Sequence, residues 1–216
     1  MKYSKIMLLV FYVALATQFS TAQTRSDNGG LKFGFKGGVN FSNLYTDDVD
    51  DNNVLTGFQA GVYAKLPISS SFAIQPELLY STKGSELVYN NNFVNGTAKF
   101  RLNYIELPIL AVINISENFN IHAGPYFAYL VDGKATNDSQ GTLFDVENNL
   151  SNEDYNKFDA GLSVGAGFDA DNIGFGIRYN YGLTTVGKER SFSGTTYTFP
   201  DGKNSVLNVY VTLSIL

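Results

Sequence analysis

The sequence predicts an all-β chain, an eight-stranded antiparallel up-and-down transmembrane β-barrel. Eight segments place an apolar side chain at every second residue, the pattern of strands with one apolar face. The connections between them alternate long and short, as they do when tight turns gather at one end of a barrel and loops at the other. A short apolar leader precedes the first segment.

In the leader, Lys2 and Lys5 stand before the run Ile6–Ala16, and Ser20-Thr21-Ala22 supplies the small residues of a cleavage site. The run is too short to span a bilayer, so residues 1–22 are expected to be a secretory signal peptide. Residues 23–31 then form a short periplasmic lead, and residues 32–216 the barrel domain. The chain has no cysteine, which excludes a lipoprotein anchor, a disulfide framework and a zinc–thiolate site. Of 15 Lys and Arg, two leave with the leader, so 13 face 20 Asp and Glu, a net charge of about −7. Nucleic acid is therefore not expected as a partner, since phosphate binding needs a basic face.

The first segment (32–44) sets Phe33, Phe35, Val39 and Phe41 against Lys32, Lys36, Asn40 and Ser42. The second (54–66) sets Phe58, Ala60, Val62, Ala64 and Leu66 against Gly57, Gln59, Gly61 and Lys65. After the short connection 67–71, the third (72–83) opposes Ile74, Leu78 and Tyr80 to Gln75, Glu77 and Ser81. An Asn-rich loop is expected over 84–98. The fourth (99–113) opposes Ile105, Leu107, Ile109 and Ala111 to Tyr104, Glu106 and Pro108.

A tight turn at 114–118 leads to the fifth (119–132), where Ile121, Ala123, Phe127 and Tyr129 oppose Asn120, His122, Gly124 and Tyr126. The longest loop is expected over 133–156. The sixth (157–170) alternates cleanly from Phe158 to Phe168 against Asp159, Gly161, Ser163, Gly165, Gly167 and Asp169. A turn at Asp171-Asn172 gives the seventh (173–186), with Phe175, Ile177, Tyr179 and Tyr181 against Gly174, Gly176, Arg178 and Asn180. A last loop (187–203) precedes the eighth (204–216), where Leu207, Val209, Val211, Leu213 and Ile215 share a face.

The chain has 14 Tyr and 17 Phe but no Trp, and the predicted register sorts many of them into two belts. Phe33, Phe72, Phe119, Phe168 and Phe175 fall near the periplasmic boundary; Phe41, Tyr80, Tyr129, Phe158 and Tyr181 fall near the outer one. Such girdles mark the two water–lipid boundaries of membrane barrels. A soluble sandwich or lipocalin-like barrel also alternates, but its solvent face would be rich in charge. Here the non-apolar face is largely Gly, Ser and Asn with isolated charges, which suits a narrow packed lumen.

That face carries the candidate site, a structural lumen charge cluster of Lys36, Glu77, Glu106 and Arg178. Glu77 and Glu106 lie on neighbouring segments and are expected to approach each other. Arg178 or Lys36 reaching across would relieve that pair, because buried charges are normally compensated. A proton or ion relay is the alternative use of the same residues. His122, the only histidine, falls near the periplasmic end and is expected to hydrogen-bond inside the lumen rather than to catalyse. Asp47, Asp48, Asp50 and Asp51, and again Asp145, Glu147, Glu153 and Asp154, read as solvated loop charge. Loosely held divalent cations are the alternative there, although the spacing of a calcium loop is absent. Gly165-Ala166-Gly167 precedes no helix and so is no phosphate cradle; no cofactor, resident metal or catalytic residue is expected.

Gln75-Pro76-Glu77-Leu78-Leu79-Tyr80-Ser81 with Lys83-Gly84, Asn103-Tyr104-Ile105-Glu106-Leu107-Pro108, Ala123-Gly124-Pro125-Tyr126 and Gly165-Ala166-Gly167-Phe168 carry a resemblance. Together with the Ala22-Gln23 leader end, they resemble the PorT-like outer-membrane β-barrel family of the Bacteroidetes, also described as porin-family barrels. The alternation of long loops and short turns puts both termini in the periplasm, and the resemblance implies an outer-membrane location and a role in protein export or gliding for members like PorT.

The expected function is non-enzymatic: a structural or accessory outer-membrane protein acting through extracellular loops or a membrane-protein partner, with lipid around it. The alternative is a narrow or gated pore for small solutes. An eight-stranded barrel has just enough interior for its own side chains, which disfavours an open channel. The sequence carries no reading of oligomeric state.

Overall fold

The computed structural model describes residues 30–45, 52–91, 94–139, 147–149, 156–187, 189–192, 195–198 and 202–215. The predicted leader, the Asp47–Asp51 cluster, Asp145, Glu153 and Asp154 lie outside these residues, as does the side chain of Glu147. The barrel unit is Leu31–Leu216.

Eight long strands build it: β1 (Lys32–Tyr45), β2 (Asn52–Pro67), β3 (Phe72–Asn91), β4 (Val94–Asn114), β5 (Phe119–Ser139), β7 (Phe158–Ala170), β8 (Ile173–Thr185) and β11 (Lys203–Ser214). Three short ones accompany them: β6 (Glu147–Asn149) beside β5, and the hairpin β9 (Glu189–Phe192) with β10 (Thr195–Thr198). Each long strand pairs antiparallel with its sequence neighbour, and β1 pairs with β11 to close the ring. Within the ring closure leaves no free sheet edge, the condition for a β structure to sit in lipid.

The tight turns gather at the end where β1 begins and β11 finishes, here the terminal end. Two of these turns repeat one device. Ile68 and Ser69 both donate their N–H to the Phe72 carbonyl (2.9 and 3.0 Å), and Ile115 and Ser116 do the same to Phe119 (2.8 and 3.2 Å). The third is a two-residue turn, with Ala170 paired to Ile173 and Asp171 in the left-handed region at φ 52°. Asp tolerates that conformation better than most residues because its short side chain can hydrogen-bond locally.

The alternation seen in the sequence sorts the side chains. Phe35, Phe58, Leu78, Leu107, Val164 and Phe175 point outward and stay exposed, while Lys36, Gln59, Glu77, Glu106, Ser163 and Arg178 are buried inside. A soluble protein does not present so continuous an apolar outer wall. Aromatic side chains crowd it at two levels. Phe119, Phe168 and Phe175 stand side by side on β5, β7 and β8 near the terminal end. Tyr129 meets Phe158 edge-on at 5.2 Å near the far end.

The structure differs from the sequence reading beyond that far end. The loop expected over 84–98 is a continuation of β3 and β4, paired from Gly84–Arg101 out to Asn91–Val94. Likewise β5 runs past Asp132 to Ser139 and holds β6 where only loop was expected, and the last loop contains the β9–β10 hairpin. Strands that leave the lipid no longer need an apolar face, so their alternation vanishes while their backbone pairing continues.

Three of the chain's five prolines lie inside closed strands, where proline is rare because it cannot donate to the ladder. The β2–β3 ladder reaches Tyr63–Glu77 and resumes unshifted at Leu66–Ile74. The β3–β4 ladder passes from Pro76–Ile109 to Leu79–Glu106, and the β4–β5 ladder from Pro108–Tyr126 to Ala111–Ala123. Antiparallel pairing then identifies each lost bond. Pro76 cannot donate to the Ala64 carbonyl, Pro108 to that of Glu77, or Pro125 to that of Ile109. The three positions form one row across four strands, about 10–15 Å from the terminal turns for a rise of ~3.3 Å per residue and a tilt of ~40°.

Candidate functional site: the charged lumen

The lumen is filled by two buried ionic clusters stacked along the barrel. In the one nearer the terminal end, Arg178 grips Glu77 with both terminal nitrogens, Nη1 to Oε2 and Nη2 to Oε1, each at 2.8 Å. Lys36 Nζ reaches the same Oε2 at 3.0 Å, and Gln75 donates to Oε1 at 2.8 Å. The Tyr210 ring lies under both cations, 3.7 Å from Lys36 Nζ and 5.3 Å from the Arg178 guanidinium. Such contacts strengthen when water is excluded.

His122 completes this layer. Arg178 Nε donates to its Nε2 at 3.2 Å, and its Nδ1 lies 3.2 Å from Asn120 Oδ1. A guanidinium can only donate, so Nε2 accepts and Nδ1 carries the proton toward Asn120. The histidine thus steadies Arg178, and the Glu77 carboxylate beside it is occupied by Arg178 and Lys36. No nucleophile–base–acid relay is assembled around it among the described residues.

The second cluster lies toward the far end. Lys83 forms an ion pair with Glu106 and stands 3.6 Å from Asp159. Glu106 also accepts from Asn180 at 3.1 Å. Asp159 accepts from Thr184 (2.8 Å), Asn204 (2.9 Å) and Tyr126 (3.3 Å). The Tyr126 ring lies 4.4 Å from Lys83 Nζ. One cluster holds two cations and one carboxylate, the other one cation and two carboxylates, so together they balance. A neutral polar layer adjoins them: Asn208 donates to Asn40 at 2.7 Å, and Asn40 donates to Ser81 at 3.0 Å.

Of the four residues expected to cluster, Lys36, Glu77 and Arg178 meet directly, and Glu106 belongs to the other group. Glu77 and Glu106 therefore never share a partner. Lys83 is the cation the sequence reading missed. It continues the inward series of Glu77 and Ser81, a signal hidden by ending the third segment there. Asp159 already lay on the inward face, without an assigned partner. Lys65, at the terminal rim, pairs with Asp169 at 3.1 Å.

Glycines make the room. A Cβ on Gly165 would stand 2.5 Å from His122 Nε2 and equally close to the Ile177 carbonyl oxygen. Gly165→Ala is expected to push His122 off Arg178 and lower stability by about 1–3 kcal/mol, the usual cost of overpacking. Denaturant titration of the folded barrel checks it; an unchanged midpoint would contradict this packing.

At the terminal mouth, Tyr63, Asn120, His122, Asp169 and Tyr210 surround a cavity of about 30 Å³. That is room for roughly one water molecule. Among the described residues, no group of three His, Cys, Asp or Glu side chains is placed to hold a metal ion.

Comparison with known proteins agrees with this geometry. Ail, the attachment invasion locus protein of Yersinia pestis, superimposes with a TM-score of 0.50 at 12% identity, over 87% of this chain and 100% of that one. Neisserial surface protein A gives a TM-score of 0.48 at 15% identity, over 86% and 99%. At 12% identity the likeness to Ail is one of fold. No curated protein matches the sequence significantly. The family described as "Outer membrane protein beta-barrel domain" matches residues 21–187, well over half of the chain. With its closed ring and apolar outer wall, this chain belongs to that outer-membrane β-barrel family.

Proposed function

We propose that this protein is a non-enzymatic outer-membrane barrel that works by contact, through its far-end strands and loops or a membrane-protein partner. The observation that carries this reading is the filled lumen. Six buried charges neutralise one another inside it, and an eight-stranded barrel has little further interior to offer a solute. A relay role for the charges is disfavoured, because each carboxylate is held by fixed donors.

The far end supplies surface for contact. There β3, β4 and β5 outrun β7 and β8, at 20, 21 and 21 residues against 13 and 13, so one wall projects beyond the rest. In this reading residues 1–22 are a cleaved signal peptide, the termini are periplasmic and the projecting wall is extracellular. The motifs around Pro76, Pro108 and Pro125 support a PorT-like assignment within the family, and with it an accessory role in protein export or gliding.

The test is affinity purification of the full-length tagged barrel from its own membranes in mild detergent, beside a variant lacking Glu189–Thr198. A stoichiometric partner held by the full chain and lost by the variant supports the reading. A barrel that emerges alone in both preparations counts against it.

A further inference from the structure

The lipid-facing wall is not evenly packed. Over β1–β3 it carries an apolar groove of about 520 Å³, lined among others by Phe35, Ala64, Pro76, Leu78, Leu107 and Ile215. Its place follows from the proline row. The β2–β3 ladder lapses at Ala64–Pro76, and the β3–β4 ladder lapses at Leu78–Leu107; all four residues line the groove. At these two gaps Pro76 and Pro108 supply no N–H to the ladders, and the groove opens on the lipid side over the same residues.

An unfilled dip costs its lining the dispersion contacts that the rest of the wall makes. At this depth the membrane offers only hydrocarbon to fill it. Surface lined almost wholly by carbon also gives a headgroup or water nothing to bond. The groove is continuous with the lipid interface of the barrel, and Phe35, 55% exposed, and Leu78, 51% exposed, project along it. We propose that this groove is a seat for one acyl chain of a bilayer phospholipid, held where the proline row leaves the wall unfilled. The inference rests on the outer-membrane placement and not on the contact reading above.

Wild-type barrel is folded with 1-palmitoyl-2-oleoyl phosphatidylethanolamine, exchanged into detergent and weighed intact by native mass spectrometry. The expected result is a barrel that retains a single phospholipid after the bulk lipid is removed. Ala64→Phe fills the groove and is expected to lower the retained fraction about tenfold, the ratio that ~1.4 kcal/mol produces. Val164→Phe, on the lipid face of β7, is expected to leave it unchanged. Leu107→Trp is a second filler should Ala64→Phe not fold, as judged by circular dichroism. Wild-type barrel that emerges bare, groove variants that retain lipid normally, or equal loss in Val164→Phe would each overturn the seat.

Discussion

Glu77→Ala is expected to lower the unfolding free energy by about 3–5 kcal/mol, the cost of stripping a buried ion pair of one partner. Alanine leaves Lys36 and Arg178 both inside the lumen with no carboxylate between them, their side chains 0% and 1% exposed. His122 offers Arg178 only a neutral acceptor. The sign depends on breaking the cluster rather than on its charge as such. Replacing all three residues together, as Lys36→Met, Glu77→Leu and Arg178→Met, is expected to be near neutral, because apolar groups of similar volume need no compensation. Urea titration in lipid vesicles reads both. A single variant as stable as wild type would mean that water reaches the cluster.

Lys83→Met is the second large effect, expected to cost about 3 kcal/mol. It leaves Glu106 and Asp159 without their shared cation. The loss should be smaller than for Glu77→Ala, since Asp159 keeps three donors and Glu106 keeps Asn180. Adding Glu106→Gln should recover part of the loss, and the same titration measures the recovery. If Glu106→Gln instead deepens it, Glu106 is held by something other than Lys83.

The barrel was legible because lipid enforces a strict rule. Each outward position from Phe158 to Phe168 must be apolar or small, so the period of two is written into the chain wherever the wall meets hydrocarbon. Past Gly84 that rule lapses and pairing is backbone against backbone, which is why the long β3–β4 extension read as an Asn-rich loop. The lumen was partly legible. Alternation places Glu77, Glu106 and Arg178 inward, but which cation meets which carboxylate depends on how far each strand is staggered around the ring. That stagger separates Glu77 from Glu106 and gives Glu106 to Lys83. The proline row was visible only as three separate motifs. Its meaning needs the register, which sets Pro76 beside Ile109 and Pro108 beside Tyr126.

Prolines in three neighbouring closed strands break a local rule of β structure, and such breaks concentrate where a protein has work to do. Here the weakened line and the apolar groove fall on the same residues of β2, β3 and β4, while the opposite wall of β7 and β8 keeps unbroken pairing from Gly161–Gly182 to Ala170–Ile173.

Single-channel recording of the folded full-length barrel in a planar bilayer shows whether the lumen is closed by its own side chains. No steady current steps above those of the bare membrane are expected. Reproducible steps of fixed size from the wild-type barrel would contradict this closure, and would mean that ions pass between Arg178 and Lys83 despite the pairs that hold them.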